Sequence, residues 1–118
     1  MGEGTQIGML VPNLFLRVPV EAAVRSAGFR ALPLADAGQA LGSGCQVVIT
    51  DLEMLGGDPA TAVRALVAAG KTVLAFGPHV QGEMLAAARA AGAVVLPRSV
   101  FLERLPELLA AVTGKTAT

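Results

Sequence analysis

Short apolar runs of four or five residues alternate with longer segments of helical periodicity along this chain, and the connections between them are short. This alternation is typical of a parallel β-sheet covered by its crossover helices. In the clearest predicted strand, residues 47–50, apolar residues follow one another, as in a strand buried on both faces. The pattern therefore predicts a single α/β domain.

The predicted second strand carries a proline, and this residue constrains the order of the sheet. Pro33 has no N–H to donate to a neighbouring strand, so its strand is expected at an edge. That position favours a flavodoxin-like, doubly wound, five-stranded parallel sheet of order 2-1-3-4-5, with helices on both faces. The predicted strands are residues 7–11, 31–34, 47–50, 72–76 and 93–96.

Capping residues and prolines predict where the helices begin. Asp36 is expected to cap a short helix, and Asp58 followed by Pro59 is a strong helix start. Pro19 indicates that the first helix begins at about residue 18, after an irregular loop at 12–17. The fourth helix is predicted over about 80–91. The last helix has two alternative starts, Ser99 and Pro106. The domain is expected to span residues 6–112, with flexible segments at 1–5 and 113–118.

Composition excludes several classes of function. The net charge is zero and aromatic residues make up 3% of the 118 residues, which argues against nucleic-acid binding. The single cysteine, Cys45, excludes an internal disulfide and a thiolate metal cluster. Hydrophobic content is 53%, but no segment approaches the roughly 20 apolar residues that a bilayer requires. The N-terminus has no signal-peptide pattern, so a cytoplasmic location without membrane contact is expected.

The third predicted strand ends in a carboxylate, Asp51, and ligands of open α/β sheets bind beyond such strand ends. The run from Gln46 to Met54 resembles the third strand of response-regulator receiver domains, which carries the phospho-accepting aspartate. The segment 90–93, Ala-Ala-Gly-Ala, resembles the stretch before the fifth strand of that family. From about Gln6 to Val112 the chain is similar to a receiver domain, which implies the same fold and a role in signal transduction.

The resemblance also implies positions for the family's functional residues, and most of them differ here. Asp51 matches the phospho-acceptor, and Glu53 matches the residue whose backbone carbonyl binds Mg²⁺. Residues 11–13, ending in Asn13, stand where the family has two adjacent carboxylates. Gly77 stands where the family has Thr or Ser. Near the end of the fifth strand, Arg98 stands where the family has a lysine.

These differences predict a degenerate, pseudo-receiver-like pocket. Mg²⁺ prefers anionic oxygen ligands, and phosphoryl transfer depends on that cation. Gly77 offers no hydroxyl, and Arg98 is expected to form an ion pair with Asp51 in the space of a phosphate. Glu53 is expected to remain solvated in its loop. We therefore predict no catalysis, no cofactor, no metal and no normal Mg²⁺-dependent phosphorylation.

Two functions remain open at this point. The first is a signalling or scaffold module that binds a protein partner or forms a homodimer, through the face that the resemblance implies: the fourth helix, fifth strand and fifth helix. The second is a small-molecule or anion-binding protein, or a weak enzyme, with a pocket around Asn13, Asp51, His79 and Arg98. His79 is the only histidine and has no second His or Cys, so it predicts a loop-anchoring or surface role rather than a metal site. An exposed apolar patch favours the first function, and an open pocket with convergent polar groups favours the second.

Overall fold

A computed structural model describes residues 5–55, 58–78 and 80–114, and its core is one parallel sheet. The sheet has the order β2-β1-β3-β4-β5, and every neighbouring pair of strands is parallel. The strands are β1 Gln6–Leu10, β2 Arg30–Pro33, β3 Val47–Asp51, β4 Thr72–Gly77 and β5 Val94–Pro97. The predicted flavodoxin-like fold is confirmed.

The edge position of β2 follows from its hydrogen bonding. The N–H groups of Arg30 and Leu34 donate to the carbonyls of Thr5 and Met9, so even-numbered residues of this strand face β1. Pro33 is an odd-numbered residue, so its backbone nitrogen faces away from β1 and from the sheet. Its missing N–H therefore removes no hydrogen bond between strands. The proline is therefore compatible with β2 only because nothing in the sheet lies beyond it.

Helices cover both faces of the sheet, and alternate strand residues form two separate cores. Helix α1 (Leu14–Ser26) and helix α5 (Arg98–Thr113) cover one face, and α2 (Ala37–Gly42), α3 (Pro59–Ala68) and α4 (Gly82–Ala90) cover the other. In β3, for example, Ile49 packs toward α1 and α5, whereas Val48 packs toward α3. This division reflects the two-residue period of a strand.

Helix α1 begins four residues earlier than predicted. Its N-cap is Asn13, whose Oδ1 accepts a hydrogen bond of 2.9 Å from the N–H of Phe15. Pro19 consequently lies inside the helix rather than at its start. The carbonyl that Pro19 leaves without a helical partner belongs to Phe15, a residue that is 91% exposed, so water is available to it. The predicted loop at 12–17 was wrong because the asparagine cap outweighs the proline.

Neither alternative start of the last helix was right. Helix α5 begins at Arg98, directly after β5, and contains both Ser99 and Pro106. No side chain caps its N-terminus, and it ends at Thr113 before Gly114, whose φ of 71° is left-handed. The predicted tail thus starts within the last turn of α5, and residues 1–4 and 115–118 lie outside the described residues. Within the described part of the chain, no helix has the length and hydropathy needed to cross a membrane.

Candidate functional site

Asp51 lies at the carboxyl end of β3, where the sequence places the candidate acceptor. Its side chain is 1% exposed. Oδ1 accepts a hydrogen bond of 3.1 Å from the N–H of Glu53, and so caps a 3-10 turn, Leu52–Met54. Oδ2 is buried and has no hydrogen-bond partner within the described residues. The carboxyl group is therefore enclosed by protein but only half satisfied.

Arg98 reaches this strand end from the first turn of α5, and it bonds principally to Glu53. Its Nη2 lies 2.9 Å from Glu53 Oε1 and 4.0 Å from Asp51 Oδ1. The expected pair with Asp51 is thus present only at the outer limit of an ion pair, while Nε is buried without a partner in the part described. Glu53 was expected to be solvated, and its side chain is 45% exposed while it contacts Arg98 from the 3-10 turn. The Asx-type cap at Asp51 is the sequence signal that indicates this turn.

Burial controls the protonation of Asp51. Removal of the carboxyl from water raises its pKa above the ordinary value of 3.8, and the negative charge of Glu53 adds to this. The hydrogen bond from the N–H of Glu53 and the positive charge of Arg98 lower the pKa, but the net direction is upward. Because Arg98 is 4.0 Å away and shared with Glu53, it compensates the buried charge only in part.

Gly77 and Asn13 do not contribute polar groups next to Asp51. Gly77 ends β4, and a Cβ there would lie 3.1 Å from Leu85 Cδ2 and 3.2 Å from Met84 Cε. The space that a hydroxyl-bearing side chain would enter is therefore occupied by two apolar side chains of α4. The side-chain oxygen of Asn13 is engaged in capping α1. His79 lies outside the described residues.

The predicted pocket residues that the structure describes surround only a small cavity, which lies beside Arg98. No group of three His, Cys, Asp or Glu side chains within the described residues is placed to hold a metal ion. The first strand leads into Val11, which is 1% exposed, and Pro12, so no carboxylate faces Asp51 from that side. The cavity beside Arg98 has a volume of about 10 Å³ and is otherwise lined by apolar side chains. A cleft of about 200 Å³ near Pro12 and Asp36 includes none of the predicted pocket residues.

Comparison with solved structures identifies the fold. A response regulator from Thermotoga maritima is 15% identical over 95% of this chain and 99% of its own, with a TM-score of 0.78. The receiver domain of a sensor histidine kinase from Pseudomonas aeruginosa, solved with a magnesium ion coordinated in its active site cleft, is 22% identical over 95% and 99% (TM-score 0.78). A two-component response regulator from Clostridium difficile is 13% identical over 94% and 97% (TM-score 0.79).

No protein-family model and no curated protein matches the sequence. The likeness is therefore carried by the strand order, the parallel pairing and the arrangement of the helices, and less than a quarter of the aligned residues are identical. This chain has the fold of response-regulator receiver domains.

Proposed function

We propose that the chain is a cytoplasmic, receiver-like signalling or scaffold module that acts through protein–protein interaction and has no normal Mg²⁺-dependent phosphorylation of Asp51. One observation carries the proposal: the side chain of Asp51 is 1% exposed and lies beside an Arg98–Glu53 contact of 2.9 Å. A phosphoryl donor must approach the carboxylate in line, and a side chain that is 1% exposed offers little surface for that approach.

Three further features argue in the same direction. Burial raises the pKa of Asp51 and so reduces the fraction of nucleophilic carboxylate. The end of β1 contributes no anionic oxygen, which Mg²⁺ requires to be held at such a site. The guanidinium of Arg98 places a positive charge 4.0 Å from Asp51 Oδ1, but it cannot coordinate phosphate and carboxylate oxygens as a metal does.

Incubation with acetyl phosphate and Mg²⁺, followed by intact-mass measurement, tests this part of the proposal. We expect no added phosphoryl group, while a Mg²⁺-binding receiver domain treated in parallel becomes labelled. Asp51→Asn is the control that assigns any labelling to this residue. Stoichiometric labelling of the wild-type chain that disappears in Asp51→Asn would contradict the proposal.

The interaction part of the proposal places a partner on the face formed by α4, β5 and α5. The exposed residues of α4 include three alanines, Ala86, Ala87 and Ala90, beside the charged Glu83 and Arg89, and the alanines permit close approach of another helix. Addition of a strand to β5 is disfavoured, because Arg89 Nη2 donates to the outer carbonyl of Val95 at 3.2 Å and Pro97 has no N–H. Contact at this face is therefore expected through side chains.

Site-specific photo-crosslinking in cells tests the face. A photoreactive residue at position 87 is expected to give a discrete crosslinked product, whereas one at Thr61, an exposed position on α3, serves as the matched control. Equal products from both positions, or none from position 87, would refute this face. The ligand-binding alternative receives no comparable support, since small-molecule sites have volumes of roughly 300–1,000 Å³ and the cavity at Arg98 is about 10 Å³.

A further inference from the structure

Helix α1 carries apolar side chains on both its inner and its outer side. The inner side packs into the core through Val20 and Val24, which are 2% and 0% exposed. The other side faces solvent, and we call it the outer stripe. The outer stripe consists of Leu14, Phe15, Val18, Pro19 and Ala22, which share one side of the helix by their spacing.

The exposure of the outer stripe is unusual for a helix of this composition. Leu14 is 58%, Phe15 91% and Val18 58% exposed. Isolated surface apolar residues are common, whereas contiguous ones mark an interaction site. Among the described residues, the other large exposed apolar side chains are spread over five separate places: Leu41, Met54, Val80, Val94 and Leu102.

One of these scattered residues lies beside the inner side of the same helix. Leu102 of α5 is 38% exposed and lines the crevice between α1 and α5 together with Leu16 and Val20. Without Leu102, the exposed apolar area of the outer stripe is roughly 400 Å², within the range of functional patches on monomer surfaces. Two such areas supply roughly 800 Å², which approaches the non-polar share of a standard protein–protein interface of about 1,600 Å².

The charge distribution and the sheet edges favour a second copy of this chain as the occupant. The outer stripe carries no charge, and its nearest charged neighbours include Glu21, which is already paired with Arg25 at 2.6 Å. The whole chain has zero net charge, so two copies do not repel each other at long range. Edge-to-edge association is disfavoured at both ends of the sheet, since Pro33 and Pro97 lack an outward N–H.

We propose that the outer stripe of α1 packs against the same stripe of a second copy, forming a two-fold symmetric dimer. Such an interface is isologous, so an apolar patch with no charge of its own is complementary to itself. Helix α4 covers the opposite face of the sheet and remains free in the dimer. The dimer therefore presents two copies of any binding surface on α4.

Sedimentation equilibrium over a concentration series tests the dimer, with Phe15→Glu as the disrupting variant. Phe15 is 91% exposed and lies in the first turn of α1, where a glutamate is favourable, so the variant is expected to fold. We expect the wild-type chain to dimerise and Phe15→Glu to weaken association by about 30-fold or more, as loss of a central aromatic contact does. Val80→Glu is the matched control, since Val80 is 78% exposed and precedes α4; it is expected to dimerise like the wild type.

Charge complementation identifies the occupant as a second copy. Phe15→Lys alone is also expected to be monomeric, whereas an equimolar mixture with Phe15→Glu is expected to recover association, because opposite charges then meet across the same stripe. A wild-type chain that stays monomeric up to about 1 mM, or a dimer that Phe15→Glu leaves intact, would overturn the proposal. Binding of a monomeric wild-type chain to lipid vesicles, lost in Phe15→Glu, would likewise overturn it and assign the stripe to a lipid surface.

Discussion

The carboxyl group of Asp51 is in an environment that suits a neutral acid better than an anion. One oxygen accepts the N–H of Glu53 at 3.1 Å, and the other has no partner among the described residues. The nearest cation, Arg98, bonds to a different carboxylate. An ionised Asp51 therefore costs folding free energy that a protonated or amide side chain does not.

Asp51→Asn is expected to be more stable than the wild type at neutral pH, and this advantage is expected to shrink at acid pH. The folded-state pKa lies above the ordinary value of 3.8, so the unfolded chain loses its proton first as pH rises. The contribution of Asp51 to the free energy of unfolding of the wild type is therefore fully present below pH 3.8. It declines as the pH rises from there through the folded-state pKa. At a pH above both pKa values, each unit by which the folded-state pKa exceeds the unfolded-state pKa costs about 1.4 kcal/mol of stability.

Urea unfolding across this pH range measures the difference in the free energy of unfolding between wild type and Asp51→Asn. The other carboxylates are the same in both chains, so their contributions cancel in that difference. The free energy of unfolding of the variant should rise relative to that of the wild type with increasing pH. If the free energies of unfolding of the two chains change in parallel with pH, burial does not shift the pKa of the Asp51 carboxyl. Asn retains an oxygen that can accept the N–H of Glu53, so the 3-10 turn is expected to persist.

Arg98 is expected to couple more strongly to Glu53 than to Asp51. Both members of the 2.9 Å contact are partly exposed, at 37% and 45%, so water screens the pair. The coupling free energy between Arg98 and Glu53 should be about 0.5–1 kcal/mol. This is far below the roughly 3–5 kcal/mol expected for disruption of a buried pair. Double-mutant cycles by urea unfolding, pairing Arg98→Ala with Glu53→Ala and separately with Asp51→Asn, measure both couplings. A larger coupling to Asp51 would mean that the two groups meet more closely in solution.

At the scale of the secondary-structure elements, the cap of α1 decides where that helix begins. Asn13 satisfies one of the first N–H groups of the helix, and this brings Leu14, Phe15 and Val18 into helical register. Without the cap, Pro19 would be a natural first-turn residue and the helix would start later. The outer stripe thus depends on Asn13, which was predicted from the sequence to belong to the candidate pocket.

Replacement of Asn13 by Ala should therefore destabilise the protein by about 1 kcal/mol. Asn13→Ser is the matched control, because serine retains a capping oxygen and should change the free energy of unfolding by much less. Both are measured by urea unfolding monitored by circular dichroism. If Ala and Ser behave alike, the contact of Asn13 with the N–H of Phe15 contributes nothing to α1.

At the scale of the whole molecule, the sheet is protected at both edges by the same device. Pro33 lies on the outward side of β2, and on β5 the outer carbonyl of Val95 is bonded by Arg89 while Pro97 lacks an N–H. Unpaired edge groups are templates for aggregation, and proline or a covering side chain removes them. Association through the strand edges is thereby disfavoured.

Pro33→Val should leave stability within about 0.5–1 kcal/mol of wild type, since the residue is exposed at an edge, but should accelerate aggregation. Pro33→Lys restores the same N–H while adding an edge charge, so it should aggregate more slowly than Pro33→Val. Light scattering during incubation at elevated temperature compares the three chains. Equal aggregation of Val, Lys and wild type would show that the edge is protected by other means.

The sequence by itself determined the edge position of β2 and most element boundaries. These follow from local signals: consecutive apolar residues in β3, the Asp58-Pro59 start of α3, and the proline that confines β2 to an edge. Such signals are encoded within a few residues, so they can be recognised without knowledge of distant contacts. The failures at α1 and α5 were also local, since in both a proline was given more weight than the cap or chain connection around it.

Only the tertiary structure decided how the residues at the strand ends relate to one another. The sequence indicated that Asp51 and Arg98 lie at the ends of the third and fifth strands, on the same edge of the sheet. It did not indicate that Arg98 would bond to Glu53 or that Asp51 would be almost wholly buried. The exposure of α1 was equally hidden, because an apolar residue has the same identity on either side of a helix. Burial and side-chain pairing depend on which elements pack together, and distances of one ångström decide which carboxylate an arginine contacts.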